Sequence, residues 1–247
     1  MKSILMIGLM GVLSLNAQTP VVLKQIGNFK AGEKTIYAKV DLKKFDVGAS
    51  GENVIWNFSN EPDTKSIIIK TIKSIEGNKY QKIFKKSNTV LNNDDSSCVF
   101  LEIKGDTNKI YGFVDEKSGM VVEYTIPFIS IVRPVKYRDS IYSVSERKFE
   151  SHGYNYIGKG FASYIVDGYG KLITPNGTYN DVLRIKSVQD FTDVMTNGYG
   201  DMKMKMITYD WYDNLHKNAI CKVSYMEIKS QYFNAEYTTI QFIQNNL

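Results

Sequence analysis

Along most of the chain apolar and polar residues alternate with a period of two, and no long segment repeats at helical spacing. The pattern therefore predicts strands throughout. The clearest run is 201–211, where Met202, Met204 and Met206 alternate with Lys203 and Lys205. On a pleated strand this sets a methionine face against a lysine face. The phase then inverts, because Ile207, Tyr209 and Trp211 fall on the lysine side, and such an inversion predicts a bulge or a strand passing between sheets. Further strands are expected at 54–58, 65–75, 98–104, 109–114, 120–125, 160–166, 170–174, 182–190, 219–231 and 236–242. Between them, 105–108, 115–119, Pro175-Asn176-Gly177 and Asn197-Gly198 carry turn-forming residues, so neighbouring strands should pair antiparallel. The predicted fold class is all-β, an antiparallel meander forming a β-sandwich or a curved half-barrel.

The one long apolar run opens the chain. Lys2, the stretch Ile4 to Leu15 and the small Ala17 have the cationic end, apolar middle and cleavage residue of a secretory signal peptide, with the cut expected between Ala17 and Gln18. The run is too short to cross roughly 30 Å of hydrocarbon at about 1.5 Å per residue, so no transmembrane span is predicted. Residues 1–17 are thus read as leader and 18–247 as a single all-β domain, long enough to bury a large core.

Charge narrows the partners. With 31 basic against 26 acidic residues the balance is mildly positive and the lysines are dispersed, which gives no phosphate-binding stripe and excludes nucleic acid as the expected partner. The two cysteines, Cys98 and Cys221, sit in apolar strand segments. In an oxidising compartment they could pair as a disulfide, or each could be an inert buried thiol. Neither has a second ligand at metal-binding spacing, so no metal site and no cofactor is predicted. Tyr154, Tyr156, Phe161, Tyr164, Tyr169 and Tyr179 crowd one region, which suits either half-buried pleated packing or a groove for sugar or lipid.

At residues 168–186 the chain reads Gly-Tyr-Gly-Lys-Leu-Ile-Thr-Pro-Asn-Gly-Thr-Tyr-Asn-Asp-Val-Leu-Arg-Ile-Lys. This hairpin resembles one found in uncharacterised secreted all-β proteins of Gram-negative bacteria that export surface proteins by the type IX secretion route. Weaker similarity follows in the same order, in Asn53-Val54-Ile55-Trp56-Asn57-Phe58-Ser59, in Ile126-Pro127-Phe128 with Tyr137-Arg138-Asp139-Ser140, and in Tyr209-Asp210-Trp211-Tyr212. The resemblance implies export to the periplasm, cell surface or extracellular space, and it transfers no catalytic residue. It also gives meaning to Asp139-Ser140-Ile141, which matches the short pattern on which such bacteria O-glycosylate exported proteins, at Ser140.

No residue set announces catalysis. His152 and His216 lie in polar, turn-like surroundings with no nucleophile signal nearby, and a glycosidase would need two carboxylates placed roughly 5 to 9 Å apart, which sequence does not show. The leading expectation is a non-catalytic envelope or cell-surface module with a structural, adhesive or binding role. Its partner would be an envelope or surface component such as lipid or glycan. A periplasmic carrier of an apolar ligand is the second expectation, with Met202, Met204, Met206 and Phe161 lining its groove. A glycan-acting hydrolase is the third.

Overall fold

Ser151-His152-Gly153-Tyr154 shows how this sequence reverses direction: His152 and Gly153 take φ of 53° and 79°. That is the pair of left-handed residues a two-residue hairpin needs to match the twist of its strands. Two-residue hairpin turns recur at 105–106 and 175–176 among the fifteen strands of a computed structural model that describes residues 21–61, 66–93, 96–198 and 200–244. The expected leader and its cleavage site lie outside the described residues. The strands are β1 (Val22–Leu23), β2 (Lys34–Leu42), β3 (Gly51–Asn57), β4 (Ser66–Ser74), β5 (Thr89–Asn93), β6 (Ser97–Lys104), β7 (Thr107–Asp115) and β8 (Met120–Val132). They continue as β9 (Val135–Lys136), β10 (Ser140–Ser151), β11 (Tyr154–Thr174), β12 (Gly177–Met195), β13 (Asp201–Tyr212), β14 (Cys221–Ser230) and β15 (Asn234–Ile243).

Twelve of these strands close a barrel. The antiparallel order runs β2, β4, β5, β6, β7, β8, β10, β11, β12, β13, β14, β15 and returns to β2. The all-β expectation holds, but the sandwich or half-barrel does not, because β10 pairs on one side with β8 and on the other with β11, which removes the open edge. β11 outlasts β10: their pairing stops at Ile165, and above it β3 takes the vacated edge in parallel, from Gly168 to Ile173.

Which side of the wall faces inward follows from one contact. Tyr124 on β8 and Phe191 on β12 have ring centroids 5.9 Å apart, although a flat sheet would hold strands three positions apart about 14 Å from each other. Only a concave face brings them together. Antiparallel partners share a face, so Phe191, Met204, Ile228 and Ala235, which are successive partners from β12 to β15, all point into the barrel.

The phase inversion in β13 now has a different cause from the one expected. β13 pairs with β12 and with β14 without a register shift, so there is neither a bulge nor a change of sheet. Met202, Met204 and Met206 point inward throughout; Lys203 and Lys205 point to solvent, while Tyr209 and Trp211, on that same outer face, are roofed by Phe45, Trp56 and Phe58. A second layer built by residues 43–58 has turned the outside of the barrel into core. Arg184 fastens it. From the outer face of β12 its guanidinium donates to Asp167 Oδ1 and Oδ2 at 2.8 and 3.1 Å and to the carbonyls of Val47 and Gly48 at 2.8 and 3.1 Å, with Trp56, Tyr209 and Trp211 against it.

One mouth of the barrel is stoppered by the first described residues. Val21, Leu23 and Ile26 are buried against inward-facing Tyr164, Val166, Leu183 and Ile185. Backbone groups of the stopper are held by Arg133 Nη1 on the Ile26 carbonyl (3.1 Å), Asn108 Nδ2 on the Gly27 carbonyl (2.8 Å), and the Gly27 amide on the Lys217 carbonyl (2.9 Å). These bonds satisfy polar backbone that would otherwise be orphaned in an apolar setting.

Candidate functional site

The interior is filled unevenly. On the β7–β8 side, Ile110, Phe113, Tyr124 and Phe128 meet Ala162, Phe191 and Met204 across the lumen in a packed cluster. On the β12–β15 side the inward positions are only partly covered: Ser187, Gln189, Met206, Ser224, Met226, Ile228 and Thr239 are half-buried and Tyr237 is 53% exposed. Inward lysines make the same point, since the side chain of Lys222 is 33% exposed and that of Lys39 27%. Solvent reaches an inner wall only where the lumen is open. The opening has a cause in the topology, because β2 pairs with β15 only as far down as Leu42 opposite Thr238, leaving Asn234–Tyr237 without a neighbour on that side.

Rows of paired residues give this wall a layered chemistry. Nearest the stopper stand Asp210, Lys222, Gln241 and Lys39; next come Ser187, Thr208, Ser224 and Thr239, with Asp41 at the β2 end of that row; below them lie Gln189, Met206, Met226 and Tyr237. Asp210 Oδ1 has Lys222 Nζ at 3.2 Å but no well-directed hydrogen bond, and Gln241 Oε1 is buried with no protein partner. Burial, reinforced by the negative charge of Asp210, pushes the phenols of Tyr37 and Tyr212 and the thiol of Cys221 above their ordinary values. Met206 and Met226 belong to none of the packed clusters. An unbranched, polarisable wall of this kind adapts readily to an apolar guest.

The expected groove residues do not share one groove. Met202, Met204 and Met206 are inside, whereas Phe161, which pairs with Val144 and Asp190, is outside with its ring stacked on Tyr142 at 5.2 Å. The aromatic crowd is likewise dispersed: Tyr156 stacks on Phe149, Tyr164 accepts from the Val132 amide, Tyr169 donates to Glu52, and Tyr179 packs by His216. Cys98 and Cys221 are both buried thiols in different core clusters, so the disulfide is not formed. Ser140 is exposed at the start of β10, beside an outer recess of about 350 Å³ that it lines with Tyr142, Ser163, Ile165, Lys186 and Val188. The buried carboxylates among the described residues face cations instead of one another: Asp193 meets Arg147, Asp210 meets Lys222, and Asp213 meets His216.

Sequence reasoning passed over Met226, Tyr237, Gln241 and Lys222. The signal for the first was present, since Lys222, Ser224, Met226 and Ile228 alternate along β14 in step with the methionines of β13. Comparison of the chain with family models, with curated proteins and with solved structures finds no match.

Proposed function

We propose that the protein is an exported, non-catalytic barrel that holds an apolar or amphipathic small molecule against its inner β12–β15 wall. The observation that carries this reading is the Met206–Met226–Tyr237 row, apolar, inward-facing and unpacked, in a barrel whose opposite side is filled. Twelve strands enclose more space than the eight whose side chains fill a small barrel. Export rests on the leader pattern and on the hairpin resemblance. The wall itself is unsuited to lipid contact: a bilayer-spanning barrel presents an outer apolar band about 25 Å tall, whereas Asp190, Lys203, Lys205, Glu227, Lys229 and Glu236 point outward here. Among the described residues no helix is long and apolar enough to cross a membrane.

Native mass spectrometry of protein purified from its own periplasm tests the carrier reading, with a bound lipid-sized mass expected. Its absence, together with failure of the purified protein to take up a dansylated C11 fatty acid, overturns it. A second reading, recognition of a surface component through the outside, is favoured by one observation: Tyr142 and Val144 are 65% and 62% exposed beside the recess at Ser140. A glycan array read with wild type and Tyr142→Ser would show a signal lost in the variant if the outer face binds.

A further inference from the structure

The layers of the inner wall specify what the bound molecule looks like. Consecutive inward rows are two residues apart along the strands, about 6.6 Å, so a molecule touching the Met206–Met226 row reaches the hydroxyl row above it with its next few atoms. From this arrangement we infer that the ligand is an amphiphile whose head carries uncharged hydroxyl groups, seated by Thr208, Ser224, Thr239 and Gln241, with its chain lying on Met206 and Met226. The inference rests on the carrier reading above and adds the head group to it.

Charge argues for the neutral head. The lysines nearest the hydroxyl row already face carboxylates, Lys222 with Asp210 at 3.2 Å and Lys39 with Asp41 at 3.4 Å. An anionic head would have to draw Lys222 away and leave the buried Asp210 without its cation, where such a loss is costly. Asp41 is exposed, but it stands beside Thr239 on the hydroxyl row itself and repels an anion there. Hydroxyls need no displacement. The row itself offers four hydroxyl side chains that both donate and accept.

Gln241 supplies the second argument. Its Oε1 is buried with no protein partner, and a buried polar group left unpaired costs more than the average hydrogen bond contributes. A carboxylate accepts only, so it cannot satisfy an amide oxygen. A hydroxyl donates to that oxygen, and it would equally accept from the amide nitrogen with the group turned over.

The discriminating pair of probes is 1-monododecanoylglycerol and dodecanoate, equal in chain and different in head, titrated into the mature protein by calorimetry below their aggregation concentrations. The glycerol ester should bind at least tenfold tighter. Gln241→Leu should weaken the glycerol ester and reduce that preference below threefold. Ser224→Ala provides a milder second variant, and both are compared only after their urea midpoints match wild type. Equal binding of the two probes, tighter dodecanoate, or a preference untouched in both variants overturns the head assignment alone. Binding of neither probe overturns the carrier reading with it.

Discussion

Arg147 and Asp193 meet inside the barrel through two parallel bonds, Nε to Oδ1 at 2.8 Å and Nη2 to Oδ2 at 2.5 Å, and they do so over Gly158 on the strand between them. A Cβ at Gly158 would lie 2.0 Å from Asp193 Oδ1 and 2.8 Å from Arg147 Cγ. The glycine is therefore the gap through which β10 and β12 join hands across β11. Phe191 lies under the guanidinium, 4.2 Å away at its centroid, so the pair is sealed as well as bonded.

Breaking this pair from either end should cost more than the pair contributes. Asp193→Asn leaves Arg147 charged, buried and half-bonded, and a loss of about 3–5 kcal/mol is expected on the scale of broken buried pairs. Gly158→Ala should fall near it, since overpacking costs about 1–3 kcal/mol and the clash also pushes the two groups apart. Urea unfolding midpoints check both. A Gly158→Ala protein as stable as wild type would mean that the crossing is looser than its geometry.

Arg184→Lys should detach the outer layer without dissolving the barrel. An ammonium cannot keep both bonds to Asp167 together with those to the Val47 and Gly48 carbonyls, nor lie flat among Trp56, Tyr209 and Trp211. Hydrogen exchange should accelerate in 43–58 and stay slow in β11 and β12. The chain's two tryptophans flank the cation, so their emission should shift to the red as water enters.

Much of this fold was legible as strands, and what escaped has a common physical cause. β10 was not anticipated because its greasy residues, Tyr142 and Val144, face out while Ser145 and Arg147 are buried, the reverse of the pattern that periodicity looks for. The β13 inversion was visible but misread, since nothing local to 201–211 reveals that residues 43–58 fold over its upper half. Closure depends on β10 finding both β8 and β11, a matter of long-range register. The Pro175-Asn176-Gly177 turn was placed correctly along the chain but shifted by one residue: Thr174 pairs with Gly177, so Pro175 and Asn176 form its tip. The methionine face was read from sequence. That it looks into an open lumen depends on β2 ending at Leu42, opposite Thr238, a matter of register that no spacing discloses.

Neither cysteine should react while the protein is folded. Burial, with Asp210 nearby, pushes the Cys221 thiol well up, and the thiolate is the reactive form. Cys98 is 6% exposed beneath Phe84 and Phe100. Ellman's reagent should therefore release no thionitrobenzoate from native protein and two equivalents in guanidinium. Non-reducing electrophoresis of protein exposed to an oxidising glutathione buffer should show the mobility of the reduced chain.

The pair formed by Asp213 and His216 should give the fold a modest pH dependence with a definite sign. His216 Nδ1 lies 2.9 Å from Asp213 Oδ1, and this bond holds the imidazole above its ordinary value against the opposing pull of burial. Burial also acts on Asp213, upward, but the His216 side chain and the amides of His216 and Leu215 outweigh it and hold the carboxyl below its usual range. A raised histidine stabilises fully below its unfolded value of about 6.5 and loses that contribution as pH climbs through the folded one. A lowered aspartate stabilises above its unfolded value of about 3.9 and loses that contribution as pH falls through the folded one. The pair is thus strongest between about pH 4 and 6.5, and solvent screening at this partly exposed site keeps it to roughly 0.5–1 kcal/mol. What it braces is the loop whose Lys217 carbonyl holds Gly27 and whose Lys217 ammonium pairs with Glu33, which means the stopper. Wild type minus His216→Gln, measured as urea midpoints from pH 5 to 8.5, should therefore shrink as pH rises, with proteolysis near residues 24–33 quickening in parallel. A difference that stays constant across that range would remove His216 from the mechanism that keeps the barrel mouth closed.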